Sequence, residues 1–211
     1  GASANASSAT WDSGCASPAP KSPSPIPSRS RRVKKLHRLA RRRGVELCSV
    51  DECHFQQHGT RCRMWVPPEI KDPVLRHAPT RKSVACFGAV SLSSGKFVRS
   101  MCEKFDAVTF ETFLKTLLRH RSRDTRMVLV LDNARYHHAI LLKPLLRTYR
   151  AVLTLLFLPP YSPQLAPIER VWKLARRLAT HNRFFATVDD VLTAVSTCFD
   201  SRRTPNSALR R

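Results

Sequence analysis

Residues 127–132 read Met127-Val128-Leu129-Val130-Leu131-Asp132, five apolar side chains in succession and then an acid. A short apolar run without polar alternation predicts a strand buried on both faces. Residues 45–51 repeat the arrangement, since Val45 to Val50 is a short apolar run that ends in Asp51. Two buried strands that each deliver an Asp at the carboxyl end bring both acids to one edge of an open sheet. Active sites of α/β sheets lie at that edge.

The flanking sequence fills in the rest of the sheet and its cover. Arg61 to Val66 reads as a strand closed by Pro67 and Pro68, and Ser83 to Leu92 as another. Ser94-Gly95 is a turn into a strand over Lys96 to Met101. Ala107 to His120 sets Val108, Phe110, Phe113, Leu114, Leu117 and Leu118 at helical spacing. His138 to Tyr149 predicts a helix in which Pro144 sits in the first turn or at a kink. Ala151 to Leu158 is a strand halted by Pro159 and Pro160; a helix follows Pro167 to about Thr180, and Thr187 caps a last helix to about Phe199. The order predicts an α/β fold, a mixed sheet flanked by helices, over residues 44–203, with 204–211 as a C-terminal tail.

The chain has 211 residues, enough for one domain with appendages. Its 37 Lys and Arg against 15 Asp and Glu give a net charge of +22. That excludes an ordinary neutral enzyme surface and points to a polyanion, nucleic acid before anionic membrane. Hydrophobic residues make up 42%, which excludes a merely disordered basic tail. No run of 18 or more apolar residues exists, so no membrane partner is expected. Residues 1–30, rich in Ala, Ser and Pro with Trp11 as their one aromatic, predict a disordered segment. Residues 31–43 predict a basic linker helix, with Val33, Leu36, Leu39 and Ala40 on one face. Its cations Arg31, Arg32, Lys34, Lys35, Arg38, Arg41, Arg42 and Arg43 are candidate contacts to the DNA backbone; the alternative is a solvated linker or a nuclear-localisation-like run. Gly at position 1 predicts a fragment or processed product. Seven scattered Cys without C-x-x-C spacing predict reduced thiols rather than a disulfide framework. Cys53, His54, His58 and Cys62 cluster in sequence as zinc ligands do, but their neighbours read as strand and turn.

Three acids carry the chemistry. Asp51 and Asp132 end strands, and Glu169 opens a helix behind a Pro-rich loop, so its carboxylate can point back to the same edge. Singly, an Asp at a strand end caps a turn and a Glu in a first helical turn complements the dipole. Together, in so basic a chain, they fit divalent metal held against nucleic acid phosphate. Hard Mg²⁺ or Mn²⁺ takes carboxylate oxygen and water, and two ions roughly 3.5–4 Å apart serve an in-line displacement. Glu52 faces the other side of an extended strand and is set aside as a ligand. Trp65 and Trp172 read as packing residues.

Three blocks then carry a resemblance. Asp51-Glu52-Cys53-His54-Phe55 with His58-Gly59 and Arg61-Cys62-Arg63-Met64-Trp65 is the first. Leu131-Asp132-Asn133-Ala134-Arg135-Tyr136-His137 is the second. Leu158 to Trp172, with Tyr161-Ser162-Pro163-Gln164-Leu165-Ala166-Pro167-Ile168-Glu169 inside it, is the third. In this order they resemble the catalytic blocks of bacterial insertion-sequence DDE transposases of the mariner superfamily, over about residues 31–211. The resemblance implies an RNase H-like catalytic domain whose triad Asp51, Asp132 and Glu169 holds two Mg²⁺ or Mn²⁺ ions. It further implies DNA strand cleavage and strand transfer, element ends and target DNA as partners, and a homodimer in the active complex. Asn133 and His137 would orient phosphate or water on the metal, or serve the structure. Gln164 and Ala166 stand where the family usually has an acid and an Asn. No pair of helix-turn-helix modules fits within residues 1–43, so a truncated, inactive DNA-binding remnant is an alternative, and a structure-specific DNA nuclease is another. The expected location is the cytoplasm at the nucleoid, or the nucleus of a eukaryotic host.

Overall fold

The computed structural model describes residues 38–39, 41–63, 66–69, 74, 76, 78–158 and 167–200. The expectations for residues 1–30, for Arg31, Arg32, Lys34 and Lys35, for Trp65, Gln164 and Ala166, and for the tail lie outside the described residues.

Five strands form one sheet: β1 Val45–Gln56, β2 Ser83–Ser91, β3 Phe97–Cys102, β4 Arg126–Leu131 and β5 Leu153–Phe157, in the order β3-β2-β1-β4-β5. β2 lies antiparallel to both β1 and β3, while β4 is parallel to β1 and to β5. Ser49 on β1 faces Val130 on β4. Two residues further along each chain stand Asp51 and Asp132, so the parallel register delivers both acids to the same end of the sheet. β1 outruns its expected end at Val50 because β2 pairs with it as far as Gln56.

The period of two along each strand sorts the core into two layers. Cys48, Val50, Phe87, Ala89, Met127, Leu129 and Leu131 pack on α1 Ala107–His120 through Phe110, Phe113, Leu114 and Leu117. Leu142 and Leu145, from a 3₁₀ turn Ile140–Leu142 and the short α2 Lys143–Thr148, complete that layer. On the other face Cys53, Phe55, Val84, Cys86 and Val90 meet Ile168, Val171, Trp172 and Ala175 of α3 Ile168–Ala175, and Val191, Val195 and Phe199 of α4 Val188–Asp200. The mixed sheet between helical layers is the RNase H-like arrangement expected.

Two expected elements change. Arg61–Arg63 and Val66 form no strand. Thr60 makes a single bridge to His181, and the Asn182 side chain takes both backbone groups of Cys62: Cys62 N–H donates to Oδ1 at 2.8 Å and Nδ2 donates to the carbonyl at 3.0 Å. A side chain satisfies what a neighbouring strand would have. The expected helix over 138–149 breaks into 3₁₀ turns at Arg135–His138 and Ile140–Leu142 followed by α2. Pro144 lies in the first turn of α2. Its missing N–H and its ring, which would strike the carbonyl four residues back, stop a longer helix there. Of the linker helix, Arg38 and Leu39 are helical and Arg41–Gly44 form a turn into β1.

Candidate active site

Asp51 faces the α3 layer. Trp172 Nε1 donates to its Oδ2 at 3.0 Å, and the backbone N–H of Glu52 also bonds the carboxylate. Burial pushes the Asp51 carboxyl up to about 6, and the charges of Asp132 and Glu169 push the same way against those two hydrogen bonds. Asp51 therefore feels both other members of the expected triad. Glu169 arrives from the first turn of α3, behind Pro167, and is half-buried. Trp172 follows three residues on along the same helix and is 3% exposed.

Asp132 lies past the end of β4 with 60% of its side chain exposed. Its Oδ1 accepts from the Ala134 backbone N–H at 3.1 Å, a local turn that leaves the carboxylate outside the sheet. His137 Nδ1 stands 3.2 Å from the same oxygen. The His137 ring is buried, 4.4 Å from both the Phe110 and Tyr136 rings. Burial holds its pKa below the usual histidine value, against the opposing pull of Asp132. A neutral ring that donates from Nδ1 to Asp132 leaves Nε2 as a bare acceptor, and Nε2 is buried without a hydrogen-bond partner among the described residues.

Glu52 does face away from Asp51, toward the α1 layer, as the strand period requires. It nevertheless reaches the site. The Tyr136 hydroxyl donates to Glu52 Oε1 at 2.6 Å, and ligand atoms of Glu52, Asp132 and His137 lie within 4.8 Å of one another. Burial raises the Glu52 carboxyl to about 7, with Asp51 and Asp132 adding like charge. Alternation within a strand separates neighbours, which is why sequence alone sets Glu52 aside. Asp132 has left the sheet plane, so a carboxylate on the far face can approach it. The adjacent acids are a signal for this, but only the path of the chain after Leu131 shows its use.

The other expected site residues are dispersed. Asn133 is exposed, and its Oδ1 is 2.6 Å from His138 Nε2, while the His138 ring lies against Phe157. Arg38 and Arg41 to Arg43 are exposed. The four residues with zinc-like spacing part company. Cys53 is buried and accepts from Arg176 at 3.0 Å, His54 lies against Phe105, His58 Nδ1 is 2.7 Å from the Gly59 carbonyl, and Cys62 Sγ is 3.2 Å from His181 Nδ1. Trp172, read from sequence as packing, packs against Phe55, Phe97 and Phe199 and also bonds Asp51.

Known proteins share this architecture. The Mos1 transposase paired-end complex with left transposon end superposes with a TM-score of 0.59 at 20% identity, over 80% of this chain and 52% of that one. The Mos1 strand transfer complex gives 0.58 at 20% identity, over 80% and 51%. The catalytic domain of Mos1 mariner transposase gives 0.51 at 19% identity, over 82% and 75%. The chain thus spans about half the length of the Mos1 chains in those two complexes. An uncharacterised protein of Sinorhizobium fredii is 35% identical over 107 residues, 51% of this chain and 76% of that protein. Residues 46–192 match the DDE superfamily endonucleases along a stretch that holds Asp51, Asp132 and Glu169. The chain belongs to the DDE superfamily endonucleases.

Proposed function

We propose that this chain is a transposase catalytic domain that cleaves DNA strands with divalent metal and transfers the freed ends to target DNA. The observation that supports it most is the parallel β1–β4 register, which brings Asp51 and Asp132 to the same end of the sheet, with Glu169 in the first turn of α3. Crowded carboxylates are the donor set a hard cation relieves, so the residues fit Mg²⁺ or Mn²⁺. The solved Mos1 paired-end complexes include one with Mn and one with Mg. Asp51, Asp132 and Glu169 would hold two ions here. When bound, such ions lower the pKa of water and offset charge on the leaving oxygen.

The protein's part is to hold ligands and phosphate in place. Trp172 and the Glu52 backbone N–H fix the Asp51 carboxylate; the Ala134 N–H and His137 hold Asp132. The first turn of α3 presents Glu169. Arg38, Arg41, Arg42 and Arg43 are exposed ahead of β1 and would neutralise backbone phosphates. Element ends and target DNA are the proposed substrates, and a homodimer would pair two ends. The test incubates purified protein with labelled plasmid, with and without Mn²⁺, beside Asp132→Asn. The wild type should cut only with metal, and the variant should lose about 10²–10³-fold or more in rate, the cost of removing one preorganised charge. Equal cutting by both proteins sinks the triad, and no metal-dependent cutting by the wild type sinks the enzyme.

A further inference from the structure

Gly88 is the key to a second role for Trp172. It lies on β2 directly across from Asp51. A Cβ at position 88 would come within 2.4 Å of Trp172 Cη2 and 2.8 Å of Cζ2. Among the described residues the glycines with positive φ are Gly44, Gly59 and Gly95, so the backbone at Gly88 does not call for glycine. Glycine inside a strand weakens it, and the usual reason for keeping one is close approach by another group. Here that group is the indole. Phe55, Phe97 and Phe199 surround it, with ring centroids at 6.2, 5.9 and 6.2 Å and near-perpendicular planes, so its tilt is fixed. The fixed ring directs its single polar atom at Asp51 Oδ2, 3.0 Å away.

We propose that Trp172 is a positioning residue for metal binding: its indole N–H, admitted across the sheet by Gly88, fixes the orientation in which Asp51 offers its carboxylate. The inference rests on the reading of Asp51 as a metal ligand. Ligating carboxylates are oriented by the donors behind them, and loss of such a donor typically costs about 10–100-fold in metal affinity or activity. Because α3 carries both Glu169 and this donor, three residues apart, one helix sets the relative placement of two ligands.

The test measures Mn²⁺ binding to the 211-residue chain from the loss of the free-ion EPR signal. Wild type, Asp51→Asn, Trp172→Phe and Gly88→Ala are compared, each checked for a cooperative thermal transition. Trp172→Phe keeps an aromatic ring and deletes the N–H, while Gly88→Ala keeps the indole and displaces it. Both should bind Mn²⁺ about tenfold more weakly or worse, and raised Mn²⁺ should restore most of the cleavage. Mn²⁺ binding lost in Asp51→Asn but unchanged in Trp172→Phe overturns the inference and leaves the metal reading standing. Equal binding by wild type and Asp51→Asn overturns the metal reading and the inference with it. A second measurement needs no Trp172 variant to fold. The ¹⁵N–¹H indole resonance of Trp172 should move upfield in Asp51→Asn, and an unmoved resonance overturns the proposed bond.

Discussion

Asp51 and Glu52 are adjacent acids on opposite faces of one strand, and both titrate far from their ordinary range, near 6 and near 7. Burial is the main cause for each, and like charge adds to it. The sign of the stability effect follows from proton counts. Between about pH 4 and 7 the folded protein holds protons on these groups that the unfolded chain has released, so stability falls as pH rises across that window. At about 1.36 kcal/mol per pH unit the two together contribute a few kcal/mol. His137 acts in the opposite direction, because burial holds its pKa down and acid favours its exposure. The expected outcome is therefore a difference: in EDTA, Glu52→Gln should flatten the fall of Tm from pH 5 to 7.5 relative to wild type. Under the metal reading, Mg²⁺ should raise Tm more at pH 7.5 than at pH 5, since protons compete for the same oxygens; at a hundred times Kd the gain is about 2.7 kcal/mol. A Mg²⁺ effect equal at both pH values would count against Asp51 as a ligand. The approach of Asp51 and Asp132 to the same end of the sheet was legible from sequence, because each follows a short apolar run and the two strands pair in parallel. Glu52 and the Trp172 bond were not, because each depends on an approach between segments far apart in the chain.

Among the elements, legibility tracked how local the deciding interactions are. α1 appears over Ala107–His120 as its apolar spacing requires, and Asp106 closes a capping box with Thr109, its side chain accepting from the Thr109 N–H at 2.9 Å. α4 has the same device in Thr187 and Asp190: the Asp190 N–H donates to Thr187 Oγ1 at 3.2 Å and the Thr187 N–H to Asp190 Oδ2 at 2.9 Å. Thr187→Ala should lower unfolding free energy by about 1 kcal/mol, read from a denaturant midpoint at unchanged slope. A drop well under half of that would mean that the apolar packing of Val191, Val195 and Phe199 alone fixes where α4 starts. The segment over 138–149 was less legible. Its apolar residues do reach the core through Leu142 and Leu145, but Pro144 and the turn at Ile140–Leu142 divide what periodicity reads as one helix. Arg61–Arg63 form no strand for a longer-range reason, the capture of Cys62 by Asn182, 120 residues away.

For the whole molecule the net charge of +22 and the acidic site belong together. Four of the 15 acids, Asp51, Glu52, Asp132 and Glu169, gather at one end of the sheet, and others form surface pairs such as Arg99–Asp200 and Lys115–Glu111. What remains is a cationic surface around a local anionic centre, with Arg135, Lys143, Arg147 and Arg150 exposed on the segment that follows Asp132. A duplex drawn to that surface releases counterions, and with six to ten phosphates neutralised its affinity should fall about 10³–10⁵-fold between 50 and 200 mM salt. Binding and cutting should then separate cleanly. Replacing Arg41, Arg42 and Arg43 together with Ala should reduce the slope of log K against log salt by about 0.9 for each phosphate that no longer meets a cation. Asp132→Asn should leave that slope unchanged, because it removes no cation that meets phosphate. Fluorescence anisotropy with a labelled duplex in EDTA reads both. If the triple variant keeps the wild-type slope, the turn before β1 lies off the DNA path and its arginines do not meet phosphate. If Asp132→Asn steepens the slope instead, the acidic centre repels DNA until metal arrives, and recognition and catalysis are coupled through the ion.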